Sequence, residues 1–275
     1  MTFKNGWTGQ IHTSTRLSAQ PLTIIAGPCM FESRDLGFDV ALRMKSLCAE
    51  LGFQYIFKSS YDKANRTSGQ TARGPGLEKG LQWLNEIRTS LNIPVLTDVH
   101  TPSQAQEAGS VVDVVQVPAF LCDQKDLLKA CAATQKAVQI KKGQHASAEQ
   151  LIACADYISE CGNPKVLLCE RGTSFGYNNL VVDYRNLVLM RRSRYATVFD
   201  GTHAAQLPGA GAGQSSGLRD MVPSLCAAAV AVGVDALFME VHPHPEKALS
   251  DASTQVNFEM AEMILRRIKQ IQSHT

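Results

Sequence analysis

Reactive side chains recur along this chain within or just after short apolar, β-branched runs. A charged side chain in a buried strand must be paired, bound to a ligand or placed at the strand end. The reactive residues at such places are Cys29, Lys58, Ser60, Asp98, His100, Gln116, Lys141, Glu170, Arg171, His203, Glu240 and His242. Any one of them has an ordinary structural explanation, but the whole set predicts one active site.

Basic residues lie at or near several of these places, and five are predicted to converge: Lys58, Lys63, Arg66, Lys141 and Arg171. Several cations in one cleft repel each other and lose solvation unless an anion binds there. Arginine suits phosphate and carboxylate through its planar donors, and lysine acts as a mobile point charge. Two alternatives stay open. The bases could pair with carboxylates (Asp62, Asp98, Glu170 or Glu240), or a strand-end lysine could be an imine-forming nucleophile, with Lys58 and Lys141 as candidates.

The elements that must position these residues alternate between short β-branched runs and stretches of helical period, as parallel strands joined by crossover helices do. Eight runs are predicted to be strands, at 22–28, 55–60, 95–99, 114–119, 138–143, 166–172, 197–203 and 236–243. They predict a single (β/α)8 TIM barrel domain spanning 1–275, with residues 1–20 as a short N-terminal extension that caps one end. Barrel active sites form at the C-terminal strand ends, where the reactive residues fall.

Composition excludes several other classes of protein. A chain of 275 residues with 44% hydrophobic content can bury a large core. The polar N-terminus and the lack of an apolar run of about 20 residues predict a soluble, cytoplasmic protein. Eight cysteines without a C-x-x-C pair are typical of reduced thiols. The net charge of +2 without a basic run predicts neither a nucleic-acid nor a membrane partner.

The glycine-rich segment 207–217 follows the seventh predicted strand. It is neither a Rossmann fingerprint nor a P-loop. A mobile lid over a phosphate would have this composition, and so would a long surface connection. The composition of this segment alone therefore does not distinguish a lid from a surface connection.

Longer motifs carry a resemblance to a known family. The sequence resembles the 3-deoxy-D-manno-octulosonate 8-phosphate (KDO8P) synthase family over about residues 22 to 255. The matching segments are 25–33, 57–68, 73–80, 96–100, 116–122, 140–144, 170–183, 202–209 and 238–254. The sister family of DAHP synthases has a KPRTS-like motif where this chain has KANRTS at 63–68. His145, in place of an aromatic residue, and the pattern of 207–217 depart from the family.

The resemblance implies a role for each matching residue. Those implied to bind phosphoenolpyruvate are Lys58, Ser60, Lys63, Gln116, Ala119, Lys141, Arg171 and His203. Those implied to bind the sugar phosphate are Asn65, Arg66 and Thr67. Those implied to hold one divalent transition metal (Zn, Fe, Mn, Co or Cd) are Cys29, His203, Glu240 and Asp251. Those implied to take part in catalysis are Lys63, Asp98, His100, His203 and Asp251.

The implied reaction joins C3 of phosphoenolpyruvate to the aldehyde carbon of D-arabinose 5-phosphate, with water adding at C2 and phosphate leaving, for lipopolysaccharide biosynthesis. Cys29 implies the metal-dependent branch, because the metal-independent branch has asparagine there. The family also implies a homotetramer. The alternatives are a DAHP synthase using erythrose 4-phosphate, a class I Schiff-base aldolase and a non-catalytic barrel that binds sugar phosphates.

Overall fold

The structure, a computed structural model, describes residues 3–63, 73–210 and 216–273. Eight parallel strands form a closed barrel, in which each strand pairs with its neighbours in the chain and β8 pairs with β1. These strands are β1 (Thr23–Gly27), β2 (Gln54–Lys58), β3 (Val95–Asp98), β4 (Val114–Val117), β5 (Ala137–Lys141), β6 (Val166–Glu170), β7 (Ala196–Asp200) and β8 (Ala236–Glu240). The predicted TIM barrel is confirmed.

Helices cover the outside of the barrel. The longer ones are α1 (Arg34–Leu51), α2 (Leu77–Leu91), α3 (Pro102–Gly109), α4 (Lys125–Ala133), α5 (Ala148–Glu160), α6 (Tyr184–Arg192), α7 (Val222–Val232) and α8 (Phe258–Gln272). Helix α8 buries Ala261, Ile264, Leu265 and Ile268, a spacing that puts one face against the strands. Among the described residues, no helix has the length and apolar character needed to span a bilayer.

All eight predicted strands are present, and most boundaries differ by one to three residues. The clearest error is the segment 197–203, because β7 ends at Asp200 and a short helix, Gly201–Ala204, follows it. The Asp200 side chain accepts a hydrogen bond from the His203 backbone nitrogen at 2.9 Å. Such a cap starts a helical turn, so His203 lies on a helix and not on a strand.

The N-terminal segment lies at the end of the barrel where the strands begin. Gln10–His12 pairs antiparallel with Thr15–Arg16. The Arg16 backbone nitrogen donates to Gln54 Oε1 at the start of β2, at 2.6 Å. Trp7 and Leu17 belong to the same buried cluster as the side chains that fill the barrel. This end is therefore covered, and the opposite end remains for chemistry.

Candidate active site

The C-terminal ends of the strands bring the predicted site residues together. Cys29 follows β1, Lys58 ends β2 and Asp98 ends β3. Gln116 lies in β4, and Ala119 begins a short helix, Ala119–Leu121, just after that strand. Lys141, Arg171, His203 and Glu240 lie at or just after the ends of β5, β6, β7 and β8. Asn65, Arg66 and Thr67 lie outside the described residues.

Glycine at the end of β1 permits the close approach of β2. A Cβ atom on Gly27 would lie 2.0 Å from the backbone oxygen of Lys58, which no side chain could tolerate. The Lys58 Nζ atom then donates to the Cys29 carbonyl oxygen at 2.7 Å and to Glu240 Oε1 at 2.9 Å. A single buried lysine thus links the ends of β1, β2 and β8.

Three side chains form a cluster with the composition of a metal site. Ligand atoms of Cys29, Glu240 and Asp251 lie within 4.8 Å of one another, and Cys29 Sγ is 3.0 Å from Asp251 Oδ2. His203 borders the cluster, with Nε2 at 3.7 Å from Glu240 Oε1 and 3.9 Å from Asp251 Oδ2. All four predicted ligands are therefore close together, which makes a shared cation geometrically feasible.

The electrostatics of this cluster suit a cation. Burial and the nearby Asp251 and Glu240 carboxylates raise the pKa of the Cys29 thiol well above its usual value. Glu240 Oε2 is buried and has no hydrogen-bond partner among the described residues. A divalent cation would offset the repulsion between these groups and favour the thiolate. The mixed sulfur, nitrogen and oxygen donors fit a borderline-soft transition metal better than Mg²⁺ or Ca²⁺.

Asp200 fixes the orientation of His203. Its Oδ2 atom lies 2.8 Å from His203 Nδ1, and the same oxygen accepts a hydrogen bond from Lys141 Nζ. Burial raises the pKa of Asp200, but His203 and Lys141 outweigh this and hold it well below its usual value. An ionised carboxylate on Nδ1 leaves Nε2 directed at Glu240 and Asp251, as in carboxylate–histidine–metal arrangements. Asp200 was not predicted as a site residue.

The bases differ in how they are paired. Lys58 pairs with Glu240, as the ion-pair alternative predicts, whereas Lys141 pairs with Asp200, a carboxylate outside the predicted set. Arg171 is buried and has no carboxylate within 4.0 Å among the described residues, although its Nη2 donates to Gln206 Oε1 at 2.7 Å. Its Nε and Nη1 atoms are also buried, and neither has a hydrogen-bond partner among the described residues. Burial lowers the pKa of this guanidinium, which makes an anionic ligand the natural counter-charge.

An aromatic ring supports two of the bases from inside the barrel. Lys141 Nζ lies 3.8 Å from the centroid of the Phe238 ring, and Lys58 Nζ lies 5.7 Å from it. The negative face of an aromatic ring attracts such cations. Phe238 therefore adds a favourable contact for two buried positive charges.

A second polar chain occupies the ends of β2 and β3. Lys63 Nζ donates to Ser60 Oγ at 3.0 Å, and Ser60 Oγ donates to Asp98 Oδ1. His100 Nε2 lies 3.2 Å from Asp98 Oδ2. Burial opposes both charges, but the pKa of Asp98 is lowered by His100 and Lys63, and that of His100 is raised by Asp98. The chain contains an ionised carboxylate and a histidine that retains its proton to higher pH, which suits proton transfer.

Some predicted reactive residues have structural roles. Glu170 accepts hydrogen bonds from the backbone nitrogens of Arg171 and Gly172 at 2.8 and 2.6 Å, and lies 3.5 Å from Lys142 Nζ. His242 is buried 3.4 Å from Glu32. These contacts shape the loops that hold the reactive residues.

The segment 207–217 begins and ends on a small ribbon. Gln206–Leu207 pairs antiparallel with Ser216–Gly217, and residues 211–215 lie outside the described ranges. Gln206 accepts from Arg171 and donates to Asp251 Oδ1 at 3.1 Å. This glutamine, which was not predicted, connects the base of the segment to the buried Arg171 and to the cluster that contains Asp251.

A closed barrel with buried basic residues and a cluster of Cys29, Glu240 and Asp251 at its C-terminal end defines a TIM barrel with a charged site at that end. The family model described as "DAHP synthetase I family" matches residues 16–275. The chain belongs to the DAHP synthetase I family.

Three curated relatives identify the branch of this family that the chain resembles. All three are named 2-dehydro-3-deoxyphosphooctonate aldolase. The protein of Desulfotalea psychrophila is 46% identical over 256 residues, which cover 93% of this chain and 91% of the relative. That of Bordetella bronchiseptica is 50% identical over 251 residues, covering 89% and 88%. That of Xylella fastidiosa strain M12 is 48% identical over 256 residues, covering 93% of both chains. This name denotes KDO8P synthase, so the resemblance inferred from the motifs is confirmed.

Proposed function

We propose that this chain condenses phosphoenolpyruvate with D-arabinose 5-phosphate and water, giving KDO8P and inorganic phosphate. The observation that carries the proposal is the buried Arg171 guanidinium, with two nitrogens unpartnered among the described residues, in the same strand-end site as Lys58 and Lys141. Phosphoenolpyruvate supplies the phosphate and carboxylate that such a site would bind. The names of the curated relatives support the same reaction.

The residues proposed to bind phosphoenolpyruvate are Lys58, Ser60, Lys63, Gln116, Ala119, Lys141, Arg171 and His203. Gln116 Oε1 accepts a hydrogen bond from Gln139 Nε2 at 2.8 Å, which fixes the orientation of its amide. The site would hold two polyanions that repel each other, and it would place C3 of phosphoenolpyruvate against the aldehyde carbon. The groups proposed to handle protons at the aldehyde oxygen and at the attacking water are Lys63, Asp98, His100, His203 and Asp251.

The sugar phosphate is assigned to Asn65, Arg66 and Thr67 by the resemblance. Lys63 supports this assignment, because it reaches Ser60 in the site and lies two residues before Asn65. An amide at Asn65 can bond one sugar hydroxyl, and losing such a bond costs about 1–3 kcal/mol. We expect Asn65→Ala to lower turnover with arabinose 5-phosphate by about tenfold while phosphoenolpyruvate still binds. Unchanged kinetics would remove Asn65 from the site.

A divalent transition metal is proposed at Cys29, His203, Glu240 and Asp251. When bound, such an ion would supply Lewis-acid polarisation and orient water or substrate. The close approach of a thiol and two carboxylates supports it. The family resemblance extends the proposal to a cytoplasmic homotetramer.

The decisive assay measures phosphate release from phosphoenolpyruvate with arabinose 5-phosphate or erythrose 4-phosphate, in parallel. We expect release with the first sugar, and preference for the second would indicate a DAHP synthase instead. Borohydride treatment with substrates tests the class I aldolase. No substrate should be trapped, because Lys58 and Lys141 are engaged by buried carboxylates, whereas imine formation requires a free, neutral amine.

A further inference from the structure

The side chain of Gln255 lies between two segments that carry proposed metal ligands. The Cys29 backbone nitrogen donates to Gln255 Oε1 at 3.1 Å, and Gln255 Nε2 donates to the Ser250 carbonyl oxygen at 2.7 Å. The side chain is buried, and so are both bonds. One amide therefore joins the loop after β1 to the residue that directly precedes Asp251.

The loop that carries Asp251 is anchored at its ends. The His242 nitrogen donates to the Val256 carbonyl, and the Val256 nitrogen to the Glu240 carbonyl, both at 3.0 Å. Asp251 itself has φ +47°, a left-handed conformation that is uncommon outside glycine, although aspartate adopts it more readily than most residues. Surrounding contacts must hold such a residue in place, and the Gln255 amide supplies one of them at the neighbouring peptide.

Cys29 is held from the opposite side. Lys58 Nζ fixes its carbonyl oxygen, and Gln255 engages its backbone nitrogen. Its Sγ atom lies 3.0 Å from both Ser250 Oγ and Asp251 Oδ2. These bonds fix the backbone from which the Cys29 side chain projects toward Asp251.

We propose that Gln255 is a positioning residue that sets the separation of Cys29 and Asp251 and so pre-organises the site for a divalent cation. The inference rests on the proposed metal site. Residues that orient metal ligands commonly change metal affinity by about 10–100-fold when they are replaced. Gln255 would do so through the peptide groups that it bonds, without touching the ion.

Cobalt provides a probe that is independent of activity. Metal-free protein is titrated with Co²⁺, and the thiolate-to-cobalt charge-transfer absorption reports contact between the ion and Cys29. Gln255→Met keeps the length of the side chain but removes both hydrogen bonds. We expect Co²⁺ to bind about 10–100-fold more weakly, with a diminished thiolate band at saturation. Gln255→Asn keeps a buried amide that is too short to bond both segments, and we expect it to weaken Co²⁺ binding as well. This variant replaces Gln255→Met if the latter does not fold.

Asn163 is a matched control, because its buried amide also joins two loops. Its Nδ2 donates to the Lys136 carbonyl oxygen at 2.8 Å, and its Oδ1 accepts from the Lys165 nitrogen at 3.1 Å, just before β5 and β6 begin. Asn163→Leu should lower the unfolding temperature of the metal-free protein and leave Co²⁺ affinity and the thiolate band unchanged. Wild-type Co²⁺ binding in the Gln255 variants, or an equal loss in Asn163→Leu, would overturn the positioning role. A wild-type protein without a thiolate band would overturn the metal site as well.

Discussion

Arg171 is the residue whose loss should most affect phosphoenolpyruvate binding, because its buried guanidinium keeps two nitrogens without a partner among the described residues. A hydrogen bond to a charged group contributes about 1.5–3 kcal/mol. We expect Arg171→Ala to raise the KM for phosphoenolpyruvate by about tenfold or more, and to make binding less sensitive to salt. Steady-state kinetics at two ionic strengths measure both effects. The control is Lys129→Ala, an exposed base on α4, and equal effects of the two variants would contradict an anion site at Arg171.

His100 should make stability depend on pH. Burial lowers its pKa, but Asp98 outweighs burial and raises the pKa above the ordinary value of about 6.5. The protonated histidine therefore stabilises the folded state below about pH 6.5, and this contribution is lost as pH rises through the folded-state pKa. Urea unfolding should show wild type most stable relative to His100→Gln at low pH, with the difference shrinking towards alkaline pH. The exposed His244 is the control, and a constant difference for His100→Gln would disprove the coupling.

The sequence could place Cys29, Lys58, Lys141 and Glu240 in one site because strand ends converge in any closed barrel. It could not identify Asp200, Gln206 or Gln255. Each of these acts through partners on other elements: Asp200 contacts Lys141 from β5, and Gln206 contacts Arg171 and Asp251. The sequence does not distinguish these polar residues from others in loops and at strand ends. Their contacts depend on the register of the neighbouring strands and on the conformation of the loops.

At the scale of elements, Lys142 ties the loop after β5 to the loop after β6. Its Nζ donates to backbone oxygens of Gly143 and Gly172 at 3.1 Å each and lies 3.5 Å from Glu170. Removing one partner of a buried ion pair costs about 3–5 kcal/mol. We expect Lys142→Met to destabilise the protein by about that much and Lys142→Met/Glu170→Gln to recover part of the loss, as measured by denaturant unfolding. Strictly additive effects would show that the pair is not coupled.

The boundary of β7 shows why elements are predicted better than their ends. The run 197–203 begins with β-branched residues, and the strand prediction is correct as far as Asp200. The strand stops because the Asp200 side chain caps the next turn, and a side-chain hydrogen bond of this kind leaves no mark on hydrophobic periodicity. The same turn places His203 beside Glu240, so the local error in the prediction falls at the site itself.

For the whole molecule, the proposed metal would join the first strand of the barrel to its last two. Cys29 follows β1, His203 follows β7, Glu240 ends β8, and Asp251 lies in the loop beyond it. An ion bound only by the folded state stabilises that state, by about 2.7 kcal/mol when its free concentration is 100 times its Kd. Chelation should therefore lower the unfolding temperature as well as activity.

We expect chelation to abolish phosphate release and to lower the unfolding temperature by about 5–10 °C, with both restored by added divalent transition metals to different extents. Calorimetry and metal analysis of the same samples measure the two effects together. Cys29→Asn should give a slower enzyme whose activity and unfolding temperature both resist chelator, because the site then lacks its thiolate and has the asparagine of the metal-independent branch. Cys48→Ala is the matched control, since it removes a buried thiol from α1 and should leave the response to chelator intact. Full activity at an unchanged unfolding temperature, after verified removal of all bound metal, would refute a metal that joins the first strand of the barrel to its last two.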